Sequence, residues 1–166
     1  MGDISALGRP ERDEHFLRRS FDVARRAMTH GNHPFGAVLV DQGGKVLLEA
    51  ENGYMPAYDG TAHAERLLAT QACTALGPEI LRSATMYSSA EPCAMCAGAI
   101  YWAGIGRLVY GLSEHRLREI TGNHHENPTL NLPCRRVFES GQRATEVVGP
   151  LLEDEAAALH AGVWKK

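Results

Sequence analysis

Residues 92–96 read Pro-Cys-Ala-Met-Cys, and the run that follows to Gly104 is small and apolar. Proline is tolerated at a helix start, where the first N–H groups have no intrahelical partner. The stretch 92–104 therefore reads as a helix opening on Cys93, with Cys93 and Cys96 at positions i and i+3 on one face. In that first turn the unpaired N–H groups and the positive helix end stabilise thiolates. Such a pair can be a redox couple, half of a structural zinc knuckle, or two ligands of a catalytic metal. Two sulfurs leave a tetrahedral ion two ligands short. If the site binds metal, a segment distant in sequence must be folded against this helix start.

A second helix start offers that segment: Thr61-Ala62-His63-Ala64-Glu65, with Thr61 read as the N-cap. One histidine and two cysteines give three protein ligands, the number that leaves a position open for water. Glu65 can then stand beside that water as general acid and base without binding the metal. A redox pair has no need of His63 and Glu65. A structural knuckle calls for a fourth Cys or His at short spacing, and His124 and His125 lie in a loop without ligand spacing. The H-x-E…P-C-x-x-C arrangement is the signature of zinc deaminases. From a different class, a zinc-stabilised binding module without catalysis is the competing reading. Glu65 argues against it, because a structural site has no use for a carboxylate beside an open position.

The remaining sequence sets the frame. With 166 residues, 44% of them hydrophobic, the chain suits a single domain over 1–166, with 1–11 as a flexible arm. Apolar residues at 16, 17, 21, 24, 27 and 28 predict a helix from Asp13 to Gly31. Two β-rich runs joined by Asp41-Gln-Gly-Gly44 predict a hairpin over 34–52. Helix 61–76, strand 84–89, helix 92–104 and strand 106–111 follow. The polar stretch 112–131 reads as loop; a short helix near 132–141, a strand at 145–149 and a C-terminal helix from Leu151 complete the order. That succession predicts a three-layer α/β/α domain with a mixed central sheet.

Net charge is −3 and there is no basic tail, so nothing favours binding to a long polyanion. Arg18, Arg19, Arg25 and Arg26 read as a solvated face. Cys73 and Cys134, outside the motif, read as small buried hydrophobes. No apolar run reaches the length of a membrane span, and the N-terminus lacks the order of a signal peptide; a cytoplasmic protein is expected.

From Phe16 to Trp164 the chain resembles the cytidine deaminase-like superfamily, in the branch holding guanine, fungal-type cytosine and tRNA adenosine deaminases. The markers are Pro34-Phe-Gly-Ala-Val-Leu-Val40, Glu51-Asn52, Thr61-Ala-His-Ala-Glu65, Ser88-Ser-Ala-Glu-Pro-Cys-Ala-Met-Cys-Ala-Gly-Ala-Ile-Tyr-Trp-Ala103 and Arg107-Leu-Val-Tyr-Gly111. The resemblance implies one Zn²⁺ per chain on His63, Cys93 and Cys96, Glu65 as catalytic residue, and a homodimer. It implies substrate contacts from the Asn52 amide, from Phe35 stacking with His63 about the ring, and from the backbone of Ala64 and of Ser89 or Glu91. Trp102 is expected to line the pocket as in guanine deaminase-like members, and Glu114 to read the ring edge. Trp164, in the tail 151–166, is expected as a lid. The activity implied is hydrolytic deamination of a guanine-like, cytosine-like or s-triazine ring, a small molecule, with nucleosides and tRNA adenosine as alternatives. Charge disfavours nucleic acid as a partner.

Overall fold

The computed structural model describes residues 3–165. A 3₁₀ turn at Ile4–Ala6 precedes helix α1 (Arg9–Thr29), which carries Pro10 in its first turn and is followed by Gly31 at φ +80. Ordered structure therefore begins inside the stretch expected to be a flexible arm, of which Met1 and Gly2 lie outside the described residues. The hairpin follows as β1 (Gly36–Val40) and β2 (Val46–Glu51), then α2 (Ala64–Ala75), α3 (Pro78–Ser83), β3 (Thr85–Ala90) and α4 (Ala94–Ala103). After β4 (Arg107–Leu112) come α5 (Glu114–Thr121), α6 (Cys134–Glu139), β5 (Glu146–Val148) and α7 (Glu153–Ala158).

Two helices depart from the sequence reading. α3 begins on Pro78 after Gly77, and its single buried residue, Leu81, is too little to make a periodic pattern. α5 occupies the first part of the stretch expected as loop, and its cap is Ser113, whose Oγ accepts the Arg116 N–H at 3.2 Å. α2 is capped by His63, not Thr61, whose N–H and hydroxyl instead bond Asp59 Oδ1 in the preceding turn. Cys134 is buried as expected, whereas Cys73 is exposed. On α2 the buried positions run Glu65, Leu68, Ala69 and Ala72, and Cys73 falls just past that row.

The strands form one mixed sheet in the order β2-β1-β3-β4-β5. β1 runs antiparallel to both β2 and β3, while β3, β4 and β5 are parallel. One face packs on α2 and α4 through Leu39, Leu68, Met86, Ile100 and Leu108. The other packs on α1 and α7 through Phe16, Phe21, Val38, Val109 and Leu112. With both faces covered, β1 is buried along its whole length, which explains its unbroken apolar run. The three layers are those the sequence predicts. α1 lies so close to β1 that a Cβ on Gly36 would stand 2.5 Å from the Ala24 nitrogen, so this position requires glycine. The two arginine pairs of α1 are engaged at the surface: Arg18 with Glu155, Arg19 with Glu49, Arg25 with Asp22, and Arg26 with Glu49 and Glu51.

Register decides where the loops meet. Gly36 pairs with Glu51, Ala37 with Ser88, and Ala90 with Leu112. Phe35, Asn52, Glu91 and Ser113 therefore emerge at one end of the sheet, the carboxyl end of its parallel strands, where α/β folds place their ligands.

Candidate active site

At that end of the sheet α2 and α4 both begin. His63 is the N-cap of α2, Cys93 the N-cap of α4, and Cys96 lies in the first turn of α4. The His63 Nδ1 stands 3.6 Å from Cys93 Sγ and 3.5 Å from Cys96 Sγ, and the three donor atoms lie within 4.8 Å of one another. Sequence placed these residues thirty positions apart in two motifs; the fold makes them a triad.

The electrostatics suit a cation. Hydrogen bonding from Cys96 outweighs the cost of burial and, with His63 beside it, brings the Cys93 thiol down to about 4. Cys96 moves the opposite way, first through its bond to Cys93 and then through burial. His63 is raised, chiefly by its bond to Cys93 and against the cost of burial. Two sulfurs and an imidazole at helix N-termini fit the donor set of a zinc ion and leave its fourth position free. A zinc ion bound there supplies Lewis acidity and lowers the pKa of water on it.

Glu65, in the first turn of α2, is only 4% exposed, and burial raises its pKa. Its Oε1 lies 2.8 Å from the Ser88 hydroxyl, which also lies 2.6 Å from the Ala90 carbonyl. A hydroxyl has one proton to donate. When it goes to Ala90, Ser88 Oγ faces Glu65 as an acceptor, an arrangement that suits a carboxyl able to carry a proton.

A cavity of about 480 Å³ opens beside the triad. Phe35, Asn52, His63, Glu65, Cys93 and Glu114 line it, and residues 125–130 form its far wall. Asn52 is buried, and its Oδ1 accepts the Tyr54 N–H at 3.0 Å, which leaves the amide nitrogen for the cavity. Glu114, first residue of α5, is buried against the cavity, and burial pushes its carboxyl up to about 8, helped by Cys93 and Glu91.

Other expected contacts fall elsewhere. Trp102 is 81% exposed and does not line the cavity. α4 is apolar on all its faces, so no stripe in its sequence tells the inner face from the outer. Ala64 and Ser89 are fully buried outside the cavity lining, and the Ser89 hydroxyl accepts the Gly36 N–H at 3.1 Å. Trp164 backs the wall without lining the cavity. It packs edge-on against His33 at 4.5 Å and His124 at 5.3 Å, and donates its indole N–H to His160 Nδ1 at 2.9 Å. Glu91, expected only through its backbone, lines the cavity, and the side chains of Ser88 and His33 are at the site without having been singled out, because what recruits them is partners far away in sequence.

The model of the cytidine and deoxycytidylate deaminase zinc-binding region matches residues 10–112, which include the whole triad and Glu65. The chain belongs to this family. As a member of this deaminase family it is a hydrolase acting on C–N bonds. A "Probable cytosine deaminase" of Schizosaccharomyces pombe is 40% identical over 163 residues, covering 97% of this chain and 98% of the relative. A "tRNA-specific adenosine deaminase" of Bacillus subtilis is 38% identical over 154 residues, 93% of this chain and 89% of that one. Among solved structures, a guanine deaminase from Nitrosomonas europaea superposes with a TM-score of 0.70 at 24% identity, over 87% of this chain and 80% of the other. That last likeness concerns the fold. Among the described residues no helix is long and apolar enough to cross a membrane.

Proposed function

We propose that the protein is a deaminase of a free nucleobase or a similar small aminated ring, holding one zinc ion per chain on His63, Cys93 and Cys96. The observation that carries this reading is the acidic make-up of the cavity lining. Asp59, Glu65, Glu91, Glu114 and Glu126 line it, and among the described residues no lysine or arginine does. A phosphate backbone entering such a mouth would meet carboxylates where binding requires cations. Relatives named for cytosine, guanine and tRNA adenosine share the fold, and this cavity favours the uncharged substrates among those classes.

In this reading water adds to the ring carbon that bears the amine, a C–O bond forms, the C–N bond breaks, and ammonia leaves. Glu65 accepts one proton of that water and passes it to the adjacent ring nitrogen, then takes the proton of the newly added hydroxyl to the departing amine as the carbonyl forms. The Asn52 amide nitrogen holds a ring acceptor, Phe35 lies along the ring face, and Glu114 meets the far edge. A carboxyl with a pKa near 8 can donate as well as accept there. The homodimer and cytoplasmic location expected from sequence belong to the same reading, with the exposed α4 face around Trp102 as the pairing surface.

An ammonia-release panel tests it: cytosine, guanine, adenine, their nucleosides, s-triazines and a tRNA anticodon stem-loop. Turnover of at least one free ring, nearly indifferent to moderate salt, is the expected result. Salt-sensitive editing of the stem-loop with all free rings inert would replace this reading with the nucleic-acid one.

A further inference from the structure

Glu91 stands in the turn between β3 and α4, two residues before the ligand Cys93, and is only 7% exposed. Its carboxylate spans two other elements. One oxygen accepts the Glu114 N–H at 3.0 Å and the other accepts the Cys134 N–H at 2.8 Å. Its own N–H donates to Leu112 O at 2.7 Å. Glu114 and Cys134 are the first residues of α5 and α6, and first-turn amides have no intrahelical acceptor. Neither helix caps these groups itself. Ser113 serves Arg116, and α6 has Pro133 at its N-cap with no side-chain bond. One carboxylate therefore caps two helices at once, through charge-assisted bonds at positive helix ends.

The two capped residues bracket the cavity wall. Between α5 and α6 the chain runs without regular structure, and residues 125–130 of that stretch face the cavity. Both ends of the excursion from 114 to 134 are thus tied to the turn that carries Cys93. We infer that Glu91 is a positioning residue, which fixes Glu114 and the 125–130 wall relative to the metal triad and so sets substrate fit without touching the metal. The part concerning substrate rests on the deaminase reading above; the tie itself does not.

Amide hydrogen exchange tests the tie in the wild-type protein with no substrate present. The Glu114 and Cys134 amides should exchange at least ~10²-fold more slowly than the Glu153 amide, which opens α7 without a side-chain cap. Equal rates would overturn the inference, whether or not any ring is deaminated. Glu91→Gln keeps the shape but turns an amide N–H toward one of the two backbone N–H groups, and Glu91→Asp is too short to span both. Either variant should keep full zinc by metal analysis and speed exchange across 114–117 and 134–137 by at least ~10-fold, with α2 unchanged. KM for the preferred ring should rise about ten-fold, with kcat within about three-fold, and the ranking among rings should shift. Faster exchange with unaltered KM and ranking would overturn the role in substrate fit. Loss of zinc would make Glu91 a support of the metal loop instead.

Discussion

Glu65 stands in surroundings that make its charged form costly, since it is buried and bonds the Ser88 hydroxyl. Glu65→Gln keeps the shape and can still donate to Ser88 Oγ, so fold and zinc content should remain. Turnover should fall by at least ~10²-fold, the usual scale of general acid–base catalysis. Steady-state kinetics beside metal analysis checks both halves, and loss of zinc would place Glu65 among the ligands. Cys93→Ala should lose the metal and exposed Cys73→Ala should keep it, with stoichiometry as the readout. At this scale the triad and Glu65 are legible because ligation and proton transfer tolerate few residue types at few spacings. Trp102 is not, since a helix apolar on every side hides which way it faces. Glu91 and Ser88 are not, since each is defined by partners that no local pattern announces.

Elements with a periodic buried face or an unbroken apolar run were readable: α1, the hairpin, α2, β3, α4 and β4 all appear where the pattern puts them. α3 and α5 escape for the same physical reason, having too few buried apolar residues to mark a stripe. α5 matters most, because it delivers Glu114 to the cavity and is held by two different caps. Ser113 bonds the Arg116 N–H from within, while Glu91 bonds the Glu114 N–H from outside. Ser113→Ala removes the local cap and should cost about 1 kcal/mol, the usual worth of a serine N-cap. Urea unfolding should show a lower midpoint at unchanged slope. A midpoint equal to wild type would mean that Glu91 alone suffices to hold the helix start.

Across the whole molecule the C-terminal tail closes the wall behind the cavity, and its stability carries a pH dependence. His160 is 2% exposed, lies tilted against Phe35 at 5.2 Å, and accepts the Trp164 indole N–H through Nδ1. With that nitrogen accepting, the neutral ring carries its proton on Nε2, which is buried without a partner among the described residues. Burial, with the nearby His33 adding to it, lowers the His160 pKa from 6.5 to about 4. Between those two values the unfolded chain binds a proton at this residue that the folded protein refuses. Stability contributed by neutral His160 is therefore full above about 6.5, falls as pH drops toward 4, and changes no further below that. The span corresponds to about 3 kcal/mol at most, at 1.36 kcal/mol per unit. His160→Gln cannot titrate, so urea unfolding of wild type and variant at a series of pH values isolates the effect. Whatever their difference at pH 7, wild type should lose ground to the variant steadily from about pH 6.5 to about pH 4. Parallel curves through that window would mean that the tail opens before His160 is charged, and that Trp164 does not hold the wall at acid pH.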